Sequence, residues 1–325
     1  MRSKSKRSPN PRRAFLGRGK FGSPEPATRS AKRETSQNER TKMTAFRKIA
    51  SLAALAISAL AVAGGARAED KPTAITIATE GAYAPWNFTG ADGKAEGMEI
   101  DLANDLCSRM KVKCTIVIQD WDGLIPGLTA GKFDVIMASM FMYKRLQVIN
   151  FSRPYAIDPS TFAVAKTSPL AKSDLSGKYN LNDQAAAQPV IDKMKPLVKG
   201  EIVGVQAATT NQQFLKKYFD GVIDIREYKT TQEHDLDLAA GRVEALFAQS
   251  TALAATLSKP GFSAYTIAGP QFLGGVFGRG TGAGMRKSDT TLLAMFNDAI
   301  GAAIAGGTIK TLSMKWLKAD VTPPQ

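Results

Sequence analysis

Apolar runs alternate with amphipathic stretches over residues 74–138. The apolar runs are rich in β-branched residues and occur at residues 74–79, 114–118 and 133–138. They are separated by residues 97–110 and 123–130, where apolar positions recur at helical spacing. Because strands that alternate with helices are typical of βαβ units, the pattern predicts a parallel, doubly wound sheet with helices on its faces.

The same alternation returns after residue 200. We predict strands at residues 202–205, 223–225, 243–248 and 262–267, and helices at residues 212–219, 232–240, 252–257, 290–305 and 308–317. The last two helices have no strands of their own and are expected to return to the first sheet. Between the two units, residues 149–156 and 160–165 are extended, and the polar residues 172–200 hold one short helix near residues 186–198. The chain is therefore predicted to be an α/β protein of two units.

Polar and aromatic side chains follow the ends of the first three predicted strands. Glu80, Tyr83 and Trp86 follow the first strand, Trp121 follows the second, and residues 139–145 follow the third. Ligands of open α/β sheets bind beyond the carboxyl ends of strands, so these side chains are candidate ligand contacts. Packing is an equally supported interpretation when these residues are considered alone. In that case the rings of Tyr83 and Trp86 fill the end of the sheet, and Glu80 is solvated.

The loop after the first strand is predicted to be irregular. Gly81 ends the strand, and Pro85 has no N–H group and disfavours a helical conformation at Ala84. A fixed loop would hold its polar and aromatic side chains in one place.

A loop of small residues, Gln206 to Asn211, joins strand 202–205 to the next helix. Thr210 or Asn211 is expected to cap helix 212–219, and the free N–H groups of such a helix start favour an anion. Ordinary capping without a ligand accounts for the loop as well, and it is the preferred interpretation of this loop alone.

The positive charge of the chain lies almost entirely in its first 68 residues. The 325 residues carry a formal net charge of +14. Residues 1–68 hold 16 basic and 3 acidic residues, which leaves a net charge of +1 for the remainder. A basic groove for nucleic acid is therefore not predicted in the folded part.

Residues 43–68 have the pattern of a secretory signal peptide. A short basic region, Arg47 and Lys48, precedes an apolar region at residues 49–63 and the small-residue site Ala66-Arg67-Ala68. Residues 1–42 are interpreted as a misassigned start or a removed, disordered extension, and less readily as a functional basic tail. No other apolar stretch approaches membrane-spanning length. We therefore expect a soluble, exported mature protein.

The cysteines and the histidine restrict the chemistry of the chain. Cys107 and Cys114 are its two cysteines, and export makes a disulfide between them the expected state. With His234 as the single histidine, the composition argues against a zinc enzyme and a Ser-His-Asp hydrolase. His234 is predicted to be a solvated residue at a helix start. No metal or cofactor site is predicted, and the glycines of residues 277–285 do not follow a dinucleotide-binding pattern.

Several motifs along residues 70–320 occur together in one family. They are Thr79-Glu-Gly-Ala-Tyr-Ala-Pro-Trp86, Gly97-Met-Glu-Ile-Asp-Leu102, Trp121-Asp-Gly-Leu-Ile-Pro-Gly-Leu128, Phe133-Asp-Val-Ile-Met-Ala138, Phe151-Ser-Arg-Pro-Tyr155, Gly204-Val-Gln206, Leu238-Ala-Ala-Gly-Arg242, Gly282-Ala-Gly-Met-Arg-Lys287 and Gly307-Thr-Ile with Trp316. They resemble the periplasmic solute-binding proteins of polar amino-acid ABC importers, the extracellular solute-binding family 3. The spacing of the two cysteines fits the lysine/arginine/ornithine-binding branch.

The resemblance implies two α/β lobes that close on one ligand, the type II periplasmic-binding-protein fold. The first lobe would comprise residues 69–158 and 269–325, and the second residues 159–268, joined by two crossover strands. The family implies a monomer that delivers its ligand to a membrane permease. The implied ligand-binding residues are Glu80, Tyr83, Trp121, Ala138, Ser139, Met140, Phe141, Arg145, Gln206, Thr209, Thr210, Asn211 and Gln249.

The family assigns a role to several of these positions. Arg145 matches the arginine that grips the α-carboxylate of the ligand, and Thr209 and Thr210 match the helix start that completes this site. Tyr83 and Trp121 match the aromatic pair around the ligand side chain. Glu80 matches the acid that holds a distal cation in binders of basic amino acids.

Two departures from the family pattern concern the α-ammonium group. Gln249 stands where the family has a carboxylate that binds the α-ammonium, and residues 138–141 contain fewer serines than the family pattern. A ligand with a substituted α-nitrogen, such as the opines octopine and nopaline, fits this change. The sequence is also similar to the opine-binding branch at residues 78–81, 204–207 and 274–277, and the long segment 171–200 points the same way. Arginine, lysine, ornithine, histidine or glutamine is the alternative ligand.

Two other classes of protein remain as alternatives. An exported enzyme resembling the cyclohexadienyl dehydratases would use Glu80 as acid or base, but no second catalytic group is apparent. The sensor lobe of a receptor is disfavoured by the lack of a predicted membrane span.

Overall fold

The computed structural model describes residues 71–139 and 144–324. The strands are β1 (Ala74–Thr79), β2 (Ala82–Tyr83), β3 (Asn87–Thr89), β4 (Ala95–Glu96), β5 (Lys113–Ile118), β6 (Val135–Ile136), β7 (Asn150–Phe151), β8 (Ser160–Ala165), β9 (Lys178–Asn180), β10 (Ile202–Gln206), β11 (Asp224–Tyr228), β12 (Ala245–Gln249), β13 (Tyr265–Leu273) and β14 (Gly284–Met285). The predicted signal peptide and the extension at residues 1–42 lie outside the described residues, as do Met140 and Phe141.

The helices separate the strands much as the sequence predicts. The α-helices are α1 (Met98–Met110), α2 (Leu124–Thr129), α3 (Gln184–Met194), α4 (Thr210–Tyr218), α5 (Thr231–Ala239), α6 (Ser250–Leu257), α7 (Thr290–Ala305) and α8 (Thr308–Trp316). Short 3-10 helices cover Trp121–Gly123, Lys144–Gln147, Lys195–Leu197 and Gly275–Phe277.

The first sheet has the strand order β5-β1-β6-β14-β7. Strand β1 pairs in parallel with both β5 and β6, as the βαβ pattern predicts. Strand β14 pairs antiparallel with β6 and β7. Because β1 is central and buried, Glu80 leaves the sheet at the edge where β5 and β6 also end.

The second sheet has the strand order β11-β10-β12-β8-β13-β9. Strand β10 pairs in parallel with β11 and β12, whereas β8 pairs antiparallel with β12 and β13. The chain passes between the sheets twice, from β7 to β8 and from β13 to β14. Two α/β lobes with two crossovers confirm the predicted type II fold, although both sheets are mixed and the first has as many antiparallel as parallel pairings.

The carboxyl-terminal helices pack on the first lobe, as predicted. Phe296 and Ile300 of α7 and Ile309 of α8 are buried in the same core as Leu102 and Leu106 of α1. The apolar face of α7 is therefore covered by the lobe that contains the first strand of the chain. No single described helix is long and apolar enough to cross a membrane, although α7 and α8 together pass that test across a 76° bend.

The loop after β1 is more regular than predicted. Strand β2 pairs with β3, and the Asn87 side-chain oxygen accepts a hydrogen bond from the N–H of Gly81 at 2.8 Å. The buried side chain of Asn87 thus sets the turn that the sequence pattern leaves irregular. Pro85 follows β2 in a cis peptide bond.

Segment 171–200 contains one strand that the pattern did not predict. Strand β9 pairs in parallel with the end of β13 at the edge of the second sheet. Helix α3 begins two residues before the predicted start because the Asp183 carboxylate caps it, accepting from the N–H of Ala186 at 3.1 Å.

The prediction of a solvated His234 is wrong, since this side chain is buried. Its ring lies edge-on to Tyr228, with 6.1 Å between the ring centroids. Helix α5 approaches β10 closely at Gly204, where a Cβ atom would stand 3.3 Å from the Cβ of His234. A glycine in the strand makes room for the histidine, and periodicity within α5 alone does not reveal this.

The predicted disulfide is confirmed. Cys107 of α1 is bonded to Cys114 of β5, with 6.2 Å between their Cα atoms. The bond ties the first long helix to the edge strand that follows it.

Candidate functional site

Eleven of the thirteen predicted ligand-binding residues surround one cavity between the lobes. They are Glu80, Tyr83, Trp121, Ala138, Ser139, Arg145, Gln206, Thr209, Thr210, Asn211 and Gln249. The cavity holds about 20 Å³, which is room for one or two water molecules. An amino acid is larger, so the lobes must separate before it enters.

Glu80 lies at the end of β1 and is 5 % exposed. Its Oε1 atom accepts a hydrogen bond from Gln206 Nε2 of the second lobe at 2.6 Å. Burial raises the pKa of Glu80 to about 7; the bond from Gln206 opposes this rise and the charges of Glu99 and Asp120 add to it. Near neutral pH the carboxyl group therefore loses a proton readily, and a cation beside it would favour that loss.

Arg145 carries the positive charge of the cavity. Its guanidinium carbon lies 5.1 Å from the ring centroid of Trp121, a cation–π distance. Its Nη2 atom donates to the carbonyl of Ala208 at 2.9 Å, across the cleft. Burial lowers the pKa of Arg145 to about 10, so the group stays protonated at neutral pH.

The start of α4 faces the cavity from the second lobe. The prediction that Thr210 or Asn211 caps this helix is wrong, because Thr209 is the N-cap residue. Its hydroxyl accepts from the N–H of Gln212 at 3.2 Å and donates to the carbonyl of Gln206 at 2.7 Å. The helix consequently begins two residues earlier than predicted and presents the N–H groups of its first turn.

Ser139 and Gln249 meet across the cleft. Ser139 Oγ donates to Gln249 Oε1 at 2.8 Å. The other polar atom of this amide, Gln249 Nε2, has no partner among the described residues. Gln249 is 1 % exposed, and at this position the cavity receives a neutral amide. The backbone of Ser139 has a φ of 46°, and its N–H donates to Glu99 Oε1 at 2.7 Å.

A buried network fixes the start of α6, directly after Gln249. The Asp158 carboxylate accepts from the hydroxyls of Ser250 and Thr251, both at 2.6 Å. Trp86 of the first lobe donates its indole N–H to the Thr251 hydroxyl at 2.9 Å. Burial raises the pKa of Asp158 to about 6, against these hydrogen bonds. The predicted loop tryptophan is thus buried and ties the two lobes together.

Two further contacts close the cleft. Lys229 Nζ lies 2.6 Å from Asp120 Oδ2, and the Thr231 hydroxyl donates to the carbonyl of Ala82 at 3.1 Å. Together with the contacts of Glu80, Arg145 and Ser139 described above, they hold the lobes in a closed arrangement.

Sequence reasoning missed two carboxylates that support the site. Glu99 and Asp158 are buried, and each accepts three hydrogen bonds. Glu99 occupies an apolar face of α1, and a charge on such a face is the signal that could have revealed it. Asp158 lies in a crossover, where no periodicity applies.

Replacing Glu99 by glutamine should destabilise the protein by about 1–3 kcal/mol, because one of its three donors would face an amide N–H₂ group. Those donors are the N–H of Ser139, the Asn87 side chain and the Tyr155 hydroxyl. Chemical denaturation measures the effect, with the exposed Glu96→Gln as the matched control. Equal unfolding midpoints for the two variants would contradict the supporting role of Glu99.

The comparison with protein families identifies the chain. The profile of the bacterial extracellular solute-binding proteins, family 3, matches residues 75–319. The chain belongs to this family. This family 3 protein is thus a solute-binding protein, and the cavity between its lobes is its candidate ligand site.

Relatives of this family 3 protein include binders of amino acids and opines. It is 49 % identical over 283 residues to the octopine-binding periplasmic protein of Rhizobium meliloti, covering 81 % of this chain and 95 % of the relative. It superposes with a TM-score of 0.63 and 28 % identity on a Salmonella typhimurium periplasmic binding protein of high arginine specificity, covering 75 % of this chain and 99 % of the other.

An ancestral amino-acid-binding protein described as a precursor of cyclohexadienyl dehydratase is also similar to the family 3 protein. The TM-score is 0.60 at 27 % identity, covering 75 % of this chain and 95 % of the other. The named relatives are thus a binding protein for octopine, one for arginine and one ancestral to an enzyme.

Proposed function

We propose that this protein captures an opine such as octopine or nopaline, or failing that a basic amino acid, and delivers it to the permease of an ABC importer. The observation that carries the proposal is the charge of the cavity. Among the described residues that line it, Glu80 is the one acid and Arg145 the one base.

The two charges suit opposite ends of one ligand. Arg145 and the first turn of α4 would receive a carboxylate, since a guanidinium forms paired hydrogen bonds with it. Glu80 would exchange Gln206 for a guanidinium or amine. Tyr83 and Trp121 would flank the aliphatic part between these ends.

The charge balance favours octopine over a simple basic amino acid. Arginine has a net charge of plus one, which would be buried uncompensated beside the Glu80 carboxylate and the Arg145 cation. Octopine has a second carboxylate and is neutral overall, so the closed site stays neutral. Burial of an unbalanced charge is costly, which favours the conjugate.

Gln249 supports the same choice. Its Nε2 atom is a donor without a partner among the described residues, and it would meet the second carboxylate of an opine. An unsubstituted α-ammonium would instead face this donor and lack an anionic acceptor. The octopine-binding relative at 49 % identity agrees with this ligand class.

The same proposal places the protein in the periplasm. The predicted signal peptide at residues 43–68, the family and the Cys107–Cys114 disulfide support export to an oxidising compartment. We expect a monomer that meets the permease when its lobes have closed.

Binding without turnover is part of the proposal. No second acidic side chain lines the cavity beside Glu80 in residues 71–139 and 144–324, so acid and base work would fall to one group. Purified protein should leave arogenate and prephenate unchanged. Formation of phenylalanine or phenylpyruvate would overturn this part of the proposal.

A ligand panel tests the function directly. Thermal unfolding of the mature protein is measured with octopine, nopaline, arginine, lysine, ornithine, histidine and glutamine. A ligand at a hundred times its Kd should add about 2.7 kcal/mol to the free energy of unfolding. The proposal expects the largest shift with an opine and is contradicted if no opine or basic amino acid stabilises the protein.

Gln249→Glu should reverse the ligand preference. The new carboxylate would receive an α-ammonium and repel the second carboxylate of an opine, so the ratio of the arginine and octopine affinities should change by at least tenfold, about 1.4 kcal/mol. Calorimetry with both ligands measures this ratio. Gln232→Glu adds the same charge to an exposed position of α5 and is the control. An unchanged ratio of the two affinities would show that Gln249 does not contact the ligand.

A further inference from the structure

A groove separate from the ligand cavity runs beside the two crossovers. It holds about 730 Å³ and is lined by Ser152 and Arg153 of the first crossover, Gly278 and Arg279 of the second, and Asn182. We call this the crossover groove. A smaller hollow of about 250 Å³ shares Asn182, Gly278 and Arg279 with it. None of the described residues that line either space lines the ligand cavity.

The crossover groove has an uncompensated positive charge. Arg153 and Arg279 are exposed, and neither forms an ion pair with any described residue. Within the part of the chain that the structure describes, no acidic side chain lines the 730 Å³ space. Each guanidinium presents a fork of N–H groups that matches a carboxylate or a phosphate.

Arg153 is held in place without a counter-ion among the described residues. Its backbone N–H donates to the Asn297 side-chain oxygen at 2.6 Å. Its guanidinium lies over α7 at Gly301, where a Cβ atom would stand 2.7 Å from Nη1. Glycine inside a helix is less favourable than alanine. Helix α7 thus contains an unfavourable residue at the point where this arginine crosses it.

Segment 171–200 contributes one residue, Asn182, to the lining of the crossover groove. The resemblance to opine binders drew attention to this segment, yet none of its residues lines the ligand cavity. Asn182 accepts a hydrogen bond from the N–H of Gly275 on its Oδ1 atom at 3.1 Å. Its N–H₂ group remains as a third donor beside the two arginines.

The carboxylate of Asp158 lies near the crossover groove, but its hydrogen-bond partners are not groove residues. Asp158 lines the smaller hollow, but it is 2 % exposed and its oxygens accept from Ser250 and Thr251. Asp158 therefore does not form an ion pair with Arg153 or Arg279.

We propose that the crossover groove binds a small dianion through Arg153, Arg279 and Asn182. Such an anion has two negatively charged oxygens, which belong either to two carboxylates of one small molecule or to one phosphate group. Because Arg153 and Arg279 belong to the segments that join the lobes, such an anion would contact the part of the chain that must bend when the cleft opens.

Calorimetry at pH 8 tests the proposal in the absence of any amino acid or opine, with succinate and inorganic phosphate as the probes. Wild-type protein should bind at least one of them. Arg153→Gln and Arg279→Gln should each weaken that binding at least tenfold, and the double variant should lose it. Lys132→Gln removes the same charge at another exposed position and should have no effect. The probe that binds tells a carboxylate site from a phosphate site.

Two further variants locate the bound anion. Arg145→Ala should retain anion binding, because the ligand cavity is a different site. Gly301→Ala keeps the charge of Arg153 but displaces its guanidinium, and it should weaken anion binding at least threefold while the protein remains folded. Failure of both probes to bind wild-type protein, or equal binding by the double variant, would overturn the proposal. Neither result bears on amino-acid or opine capture, which is measured separately.

Discussion

Arg145→Ala should weaken ligand binding by roughly 10²–10⁴-fold. The cost of removing one partner of a buried ion pair is about 3–5 kcal/mol, because the other charge is left without compensation. In this site that charge is the ligand carboxylate. The first turn of α4 would remain, but N–H groups alone do not replace a full positive charge. Calorimetry with octopine and arginine measures the loss.

Arg145→Lys separates charge from geometry. Lysine keeps the positive charge but has neither the planar fork nor the same stacking on Trp121, so affinity should lie between the wild-type and alanine values. Arg109→Ala, which removes an exposed arginine paired with Asp105, is the control. If Arg145→Ala binds within threefold of wild type, Arg145 does not hold the carboxylate.

Glu80→Gln should weaken cationic ligands by about 100-fold at pH 8 and have little effect on glutamine. The change keeps the shape of the side chain and removes the anion that faces the guanidinium or amine. A buried charge pair of about 3 kcal/mol gives this factor. Glutamine has no distal cation, so it serves as the matched ligand in the same calorimetric experiment. Equal losses for arginine and glutamine would indicate a packing role for Glu80.

The pH dependence of binding provides a second test of Glu80. Its pKa is raised to about 7, so the ligand-free carboxyl group takes up a proton as the pH falls through 7. A cationic ligand needs the ionised form, so its binding releases that proton and its affinity falls by up to tenfold per pH unit below the pKa. At pH 5 the wild type should approach Glu80→Gln. The variant itself should show no such slope.

Much of the fold is predictable because its signals are local. The parallel arrangement of β1, β5 and β6 follows from strands that alternate with amphipathic helices. The helix at residues 290–305 has the predicted bounds because its apolar positions recur at helical spacing over four turns. The strand ends then place Glu80 and Trp121 at one rim without any further information.

The supporting parts of the site depend on contacts between distant segments. Thr209 rather than Thr210 caps α4, and a shift of one residue at a helix end lies beyond what composition specifies. His234 of α5 is buried because Gly204 of β10 has no side chain and leaves room for it. Glu99 and Asp158 lie in the interior because donors from far along the chain satisfy them. Such compensation is visible only in three dimensions.

The stacking of Arg145 on Trp121 gives the protein a built-in optical reporter. The chain has three tryptophans, and Trp121 is the one that lines the ligand cavity, whereas Trp86 is buried outside its lining and Trp316 lies in α8. A ligand carboxylate that draws the guanidinium away from the indole changes the charge next to the chromophore. Intrinsic fluorescence therefore follows occupancy without a label, and Trp121→Phe, which keeps the other two indoles, shows how much of the change comes from Trp121.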